Sequence, residues 1–458
     1  MRLVFANIMQ ELQRFDSTAY ITQPPVPLAI LNGVTPRAIE TALVDEQTDR
    51  VEFTGDVFAF SVSTQNALAV YDHADALRAA GRKVILGGIH VTVCPDEAMG
   101  HADAVVTGEA ETIWPTVCDD LLAGRLRERY DGQPTAPQRM APVDYRFFGQ
   151  RRYLTPASLF ATRGCNRRCA FCVSSRSLGP YRTKPLDVVE REIDQLAELH
   201  PSAFLQFTDD NLLASRRYAA DLLALLRRKR RRFVTMVTVD QFCDRPLMEE
   251  MAAAGCMGVA VGVESVEEDN CASVDKYQNL EQPFSDAVRV ANDCGIQVGA
   301  LLMVGLAHDT PERLVNAVPR LRNTPCSYYD LRVLRIYPST ALYRRMVESG
   351  DVTENWWLKR ASTMNCNHLL PSCLSMDFRH ARFAPMQLQR MALRLTVDLN
   401  PMDPASVANL LRVGCRGRAP GFAALLLAAR RRSVRQARRL LKQVDRAIAG
   451  REPAALVH

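Results

Sequence analysis

Thr162-Arg163-Gly164-Cys165-Asn166-Arg167-Arg168-Cys169-Ala170-Phe171-Cys172 is the stretch on which the fold turns. Its three cysteines stand at C-x3-C-x2-C spacing directly after the β-rich run Ser158–Thr162, so three thiolates converge from one tight loop at a strand end. A 4Fe–4S cluster ligated only by protein needs four cysteines, and three leave one iron open to a small molecule. Structural zinc is the competing reading. It prefers four ligands, commonly as two C-x2-C-like pairs, and no second pair follows at the usual distance. Farther along, Cys366, His368 and Cys373 offer two thiols and one imidazole, one ligand short of a zinc site, and read more simply as unpaired thiols.

Outward from the loop, strand and helix signals alternate. Strands are predicted at Ser158–Thr162, Ala203–Thr208, Phe233–Val239, Gly258–Val263, Gln297–Val304 and Tyr328–Ile336, with helical periodicity between them. Six such units over residues 151–343 predict a partial (β/α)6 barrel, which places chemistry in the loops after each strand. Residues 1–130 alternate in the same way and predict a doubly wound, Rossmann-like sheet, whose ligands bind beyond the carboxyl ends of the strands. Those ends carry Ser61–Thr64, Gly87–Thr92 and Gly108–Glu111. A Pro-, Gln- and Gly-rich stretch within 131–150 reads as a linker, and 344–458 reads as mostly helical. The fold class is therefore α/β with a helical C-terminal region.

Composition excludes several classes. A 458-residue chain with 47% hydrophobic and 24% charged residues is an ordinary globular one of two or three domains. A net charge of +6 is too modest for a nucleic-acid-binding protein of this size. No apolar run reaches the roughly 18 residues of a membrane span, and the N-terminus lacks a signal-peptide core, so a cytoplasmic location without membrane contact is expected. Thirteen cysteines, odd in number and mostly scattered, fit core thiols plus a metal site rather than a disulfide framework. Arg227–Arg232 and the arginines after Pro401 read as solvated faces, with docking of a partner as the alternative.

The cysteine triplet with Phe171 before its last member resembles the radical S-adenosylmethionine superfamily, and the later segments follow in that family's order. The resemblance implies a 4Fe–4S cluster on Cys165, Cys169 and Cys172. Its open iron would chelate S-adenosylmethionine, whose reductive cleavage yields a 5′-deoxyadenosyl radical. Phe207–Asn211 follows the second strand, which would turn Asp209 toward the methionine end of the cofactor. Gly262-Val263-Glu264-Ser265 resembles the family's Gly-x-Glu-Ser segment near the ribose, with Lys276 just beyond. Gly299–Leu306 resembles the strand that backs the adenine, through Leu302 and Val304. Tyr337–Tyr343 resembles the turn that closes the barrel, with Ser339 where relatives have glycine. Phe171, Asp209, Glu264, Ser265, Leu302 and Val304 are thus the expected cofactor contacts. Asp209, Asp210 and Tyr337 are the expected acid–base groups, although either aspartate could instead cap the next helix.

Gly87–Glu97 and Val105–Glu111 resemble the cobalamin-binding domain of one radical S-adenosylmethionine subclass. His90 is the imidazole nearest such a pocket. The first helix, however, is confined to Pro27–Gly33, and this shortness argues for a degenerate domain that has lost cobalamin. The leading expectation is then direct hydrogen abstraction from a polar small molecule such as an amino sugar, as in the radical diol dehydratases of aminoglycoside antibiotic biosynthesis, which the chain resembles in size and layout. The alternative is a cobalamin-dependent radical methyltransferase of a secondary metabolite, and a silent scaffold with a structural cluster or zinc is the third reading. The resemblance also implies an electron donor such as flavodoxin or ferredoxin, and for the dehydratase a partner reductase.

Overall fold

The computed structural model describes residues 1–9, 22–174, 179–280, 282–352, 354–358 and 376–449; Cys366, His368 and Cys373 lie outside them. The N-terminal domain holds β1 (Arg2–Asn7), α1 (Val26–Gly33), β2 (Glu40–Asp45), β3 (Val57–Ser61), α2 (Ala67–Ala79), β4 (Lys83–Gly87), β5 (Ala104–Thr107), α3 (Trp114–Leu122) and β6 (Arg129–Asp131). All six strands are parallel, in the order β2-β1-β3-β4-β5-β6. The order reverses at β1/β3, and in open α/β sheets that switch point marks the ligand crevice. Arg129–Asp131, at the expected boundary between the domain and its linker, adds a sixth strand that the sequence pattern did not predict.

The second domain is a six-stranded parallel sheet in the order β14-β13-β12-β11-β10-β7. Its strands are β7 (Ser158–Leu159), β10 (Leu205–Phe207), β11 (Phe233–Val237), β12 (Cys256–Glu264), β13 (Gln297–Val304) and β14 (Tyr328–Val333). Between β7 and β10 lies a two-stranded antiparallel ribbon, β8 (Thr162–Arg163) and β9 (Arg182–Thr183), whose connection carries the three cysteines. Helices α4 (Leu186–Leu199), α5 (Arg216–Lys229), α6 (Arg245–Ala253), α7 (Phe284–Asp293) and α8 (Pro311–Arg322) separate the strands. Each presents an apolar stripe, such as Val188, Val189, Ile193 and Leu196 of α4, to the sheet.

After β14 the described residues are mostly helical: α9 (Ala341–Glu348), α10 (Pro385–Leu399), α11 (Pro404–Arg416) and α12 (Pro420–Ile448). The expected apolar and arginine-rich segments form this one 29-residue α12. It closes the base of the barrel, where Phe422 stacks edge-on against Phe204 at 5.5 Å. A Cβ on Gly258, at the start of β12, would lie 2.7 Å from the Phe422 ring. Arg430 is buried and donates to the carbonyl oxygens of Ser327 and Pro401. Within the basic run at the end of α5, Lys229 is bound to Asp194 at 2.8 Å and Arg228 to Glu190 at 3.1 Å. Among the described residues no helix is long and apolar enough to cross a membrane.

Candidate active site at the domain junction

The carboxyl ends of both sheets face each other across a cavity of about 730 Å³. Asn7, Ser61, Ser63, Gly87, Gly88, Glu109 and Glu111 wall it from the N-terminal domain; Phe160, Arg163, Asp209 and Asp210 wall it from the barrel. Val26, Leu28 and Leu31 of α1 also line it, so the short helix borders this space and does not fill it. That corrects the inference from helix length to a lost pocket.

The cysteine loop rises from the ribbon. Gly164 has φ +74°, and a Cβ there would meet the carbonyl oxygens of Gly179 and Pro180 at 2.9 Å, so the loop's two ends touch where only glycine fits. Amide donors aim at the sulfurs: Arg167 N–H at 3.4 Å and Asn211 Nδ2 at 3.7 Å toward Cys165, and Gln278 Nε2 at 3.7 Å toward Cys169. Burial pushes the Cys165 and Cys169 thiols up, so a negative sulfur here calls for a cation beside it, which metal ligation provides. Among the described residues no three His, Cys, Asp or Glu side chains converge tightly enough for a single ion. A cubane, whose thiolates bind separate irons, fits this donor set better than zinc does.

Register fixes which strand residues see the cysteines. Gly262, Leu301 and Asp330 are partners across β12, β13 and β14 and share one face. A Cβ on Gly262 would lie 2.9 Å from both Glu264 Oε1 and Lys276 Nζ, which marks that face as the lumen. Leu302 and Val304 therefore point the other way and are buried against the core. As cofactor contacts they are corrected, and Leu301 and Met303 take the lumen side of β13.

Glu264 is buried at φ +60°, beside a register shift in β12, and is paired with Lys276. Lys276 lies 5.7 Å over the ring of Phe171. Separating this buried pair would cost about 3–5 kcal/mol, because either partner alone would leave an uncompensated charge. Ser265 Oγ accepts from Glu267 N at 3.1 Å and caps the next turn. Phe171, Glu264, Lys276 and the cysteine loop are thus gathered at one place, as the family resemblance implies.

Asp209 differs from the expectation of a catalytic carboxyl. It is 3% exposed, and its Oδ1 accepts from Ala161 N at 2.9 Å, Thr162 N at 2.5 Å and Thr162 Oγ1 at 2.6 Å. Burial pushes its pKa up to about 7 against these hydrogen bonds. It is a clamp on the strand that enters the cysteine loop, and its other oxygen has no hydrogen-bond partner among the described residues. Asp210 is open to the cavity, and crowding by the walls raises its pKa while Ser174 and the Gly164 amide hold it down. Tyr337 Oη accepts from Gln65 Nε2 at 2.7 Å, which places this half-buried residue between the domains. Of the other tyrosines, Tyr329 is core, donating to Leu321 O at 2.6 Å, and Tyr328 reaches Ser433 at 3.2 Å. Asp330 holds Arg332 at 2.8 Å.

His90 is fully buried and faces away from the cavity, with Nδ1 3.1 Å from Thr64 Oγ1 and Nε2 2.9 Å from Glu97. It is not placed to ligate a metal in the cavity. The glutamates at the end of β5, read as ligand-facing, are instead paired with Arg163 and Arg182. Arg182 and Gln65 escaped the sequence reading as site residues, since nothing local links them to partners 73 and 272 positions away.

Fold and site together define a radical SAM barrel coupled to a cobalamin-type Rossmann domain. Residues 159–319 match the Radical SAM superfamily and residues 36–117 match the B12 binding domain, so the chain has this two-domain architecture. It is 26% identical over 391 residues to the bacteriochlorophyllide d C-8(2)-methyltransferase of Chlorobaculum tepidum, covering 81% of this chain and 84% of that protein. The radical S-adenosylmethionine methyltransferase TsrM from Kitasatospora setae, solved with cobalamin and a [4Fe-4S] cluster bound, shares the fold: TM-score 0.65, 18% identity, 96% of this chain and 99% of that one. OxsB, a cobalamin-dependent S-adenosylmethionine radical enzyme solved with aqua-cobalamin and S-adenosylmethionine bound, gives TM-score 0.64 at 11% identity over 98% and 80%. These relatives favour the methyltransferase alternative, with cobalamin, over the dehydratase expectation.

Proposed function

We propose that the protein is a cobalamin-dependent radical S-adenosylmethionine methyltransferase acting on a small molecule bound between its two domains. The carrying observation is the cavity itself: the switch-point edge of a B12-binding-type sheet opens onto the neck of the cysteine loop, at Thr162, Arg163 and Gly164. Cys165, Cys169 and Cys172 would hold the cluster; Glu264, Ser265 and the lumen face of β13 would hold S-adenosylmethionine; the ends of β1, β3 and β4 would hold cobalamin. Bound there, these groups supply reductive cleavage of S-adenosylmethionine and a transferable methyl group. His90 is held by Glu97, so this loop would offer no free imidazole to a bound corrinoid.

The chain's own residues do the rest. Asp209 fixes the strand before the cysteines, and the Glu264–Lys276 pair presents a satisfied charge to the lumen. Asp210 lines the cavity and Tyr337 meets the N-terminal domain through Gln65; these are the groups offered to take or return a substrate proton. Reducing equivalents would come from a flavodoxin- or ferredoxin-like donor.

The test is anaerobic. Reconstituted protein is expected to retain about one corrinoid per chain through gel filtration, and to move a deuterated methyl group from S-adenosylmethionine to that corrinoid. Retention of no corrinoid, with 5′-deoxyadenosine still formed, would overturn the reading and return hydrogen abstraction from an amino sugar to first place.

A further inference from the structure

The ribbon that carries the cysteine loop is only two residues deep, and Arg163 on β8 stands directly opposite Arg182 on β9. Like charges facing each other across an antiparallel pair repel and open it. Both side chains are largely buried, 14% and 10% exposed, so water screens them poorly. The carboxylates that face them come from the other domain. Glu109 Oε2 accepts from Arg163 at 2.9 Å and from Arg182 at 3.0 Å, and Glu111 pairs with Arg163. Thr135 aims these acids, donating its N–H to Glu109 at 2.6 Å and its hydroxyl to Glu111 at 2.9 Å. The two arginines hold the Glu109 carboxyl below the usual range against its burial.

We propose that Glu109 and Glu111 are positioning residues for the cluster: they offset the mutual repulsion of Arg163 and Arg182 and so keep the neck of the cysteine loop closed. Gly164 rests against Gly179 and Pro180 only while β8 and β9 stay paired, so an opening neck releases Gly164 and, next to it, Cys165. Glu109, Glu111 and Arg163 also line the cavity, so the ion pairs that close the neck form part of its wall. The inference rests on the radical S-adenosylmethionine reading of the cysteines and not on the choice of cobalamin.

The experiment uses the full-length, anaerobically reconstituted protein and follows loss of the cluster's visible absorbance under excess chelator, with the reduced-cluster EPR signal and thermal unfolding recorded beside it. Glu109→Gln/Glu111→Gln is expected to lose its cluster about fivefold faster than the native protein. Adding Arg182→Gln removes one of the opposed charges, and the rate is expected to return to within about twofold of native. Simple loss of a docking ion pair predicts the opposite, because a third missing partner cannot restore it. Arg182→Gln alone, leaving both acids on Arg163, is expected to lose its cluster no faster than native. An unchanged rate in the double variant, absence of rescue, or faster loss in Arg182→Gln alone would each overturn the proposal. If the native protein takes up no 4Fe–4S cluster, the reading of the cysteines falls with it.

Discussion

Asp209 shows how far a single residue's chemistry follows from its neighbours. As a carboxylate after a barrel strand it reads as a catalytic group, yet its Oδ1 is saturated by the backbone and hydroxyl of the preceding turn. Its ordinary pKa of 3.8 describes the unfolded chain, and in the fold it rises to about 7. Between those values the folded chain holds a proton that the unfolded chain has released. Stability contributed by this residue therefore falls as pH rises from about 4 to about 7, and the penalty is complete above that. Asp209→Asn keeps the Oδ1 acceptor and cannot ionise. The melting temperature of the variant minus that of the native protein is expected to climb between pH 4 and pH 7 and then level off. A pH-independent difference would contradict the clamp. At the same scale Glu264 and Lys276 were legible, because a glutamate following apolar residues demands a partner. Leu302 and Val304 were not. Gln297–Val304 is apolar on both faces, as buried parallel strands are, and such a run carries no alternation from which to read which face meets the lumen.

At the scale of elements, sequence patterning located the six barrel strands because each apolar run is bounded by helical periodicity. It missed β6, where three residues in a charged stretch before the Pro-rich linker become a strand by pairing with β5. It also read α12 for charge and missed its task. Phe422 fills the base of the barrel because residue 258 is glycine, and only register places the two together. Phe422→Ala is expected to cost about 2 kcal/mol, below a fully buried phenylalanine because this ring is partly exposed. Gly258→Ala alone should destabilise through the clash with the ring. In the double variant the new methyl occupies space the ring has left, so the combined loss should be clearly smaller than the sum of the singles. Urea unfolding of the four proteins measures this cycle, and strict additivity would show that Phe422 does not plug the barrel.

The molecule as a whole is an arrangement of two strand-end faces held at a fixed separation, and no local pattern encodes that separation. Asp45 and Asp49 of the N-terminal domain receive Tyr153 at 2.7 Å and Arg151 at 2.9 Å from the chain leading into the barrel. The Glu109–Arg163–Arg182 cluster joins the domains beside the cysteine loop. A third tie is Trp357, which follows the barrel but is buried in the N-terminal domain's second core with Tyr71 and Val91. Its Nε1 donates to Glu97 at 3.0 Å, and Glu97 also receives Tyr71 Oη at 2.9 Å and contacts His90. Burial alone would raise the Glu97 pKa, but hydrogen bonds and charge from His90, aided by Trp357, keep it below the usual range. The indole thus contributes both ring volume and a donor to a buried anion, and two substitutions separate them. Trp357→Phe keeps most of the volume and loses the N–H, which should cost about 1.5–3 kcal/mol, the worth of a hydrogen bond to a charged group. Trp357→Ala also leaves a cavity between domains and should cost about 3–5 kcal/mol. If Trp357 ties the two faces together, hydrogen exchange in Trp357→Ala will quicken along Ile89–Met99 and at the lip of the cavity around Ser61–Asn66, while the far edge at β2 keeps its native protection. Exchange that quickens uniformly over the N-terminal domain would make Trp357 a core residue like any other, and the fixed spacing of the two faces would have to come from the ion pairs alone.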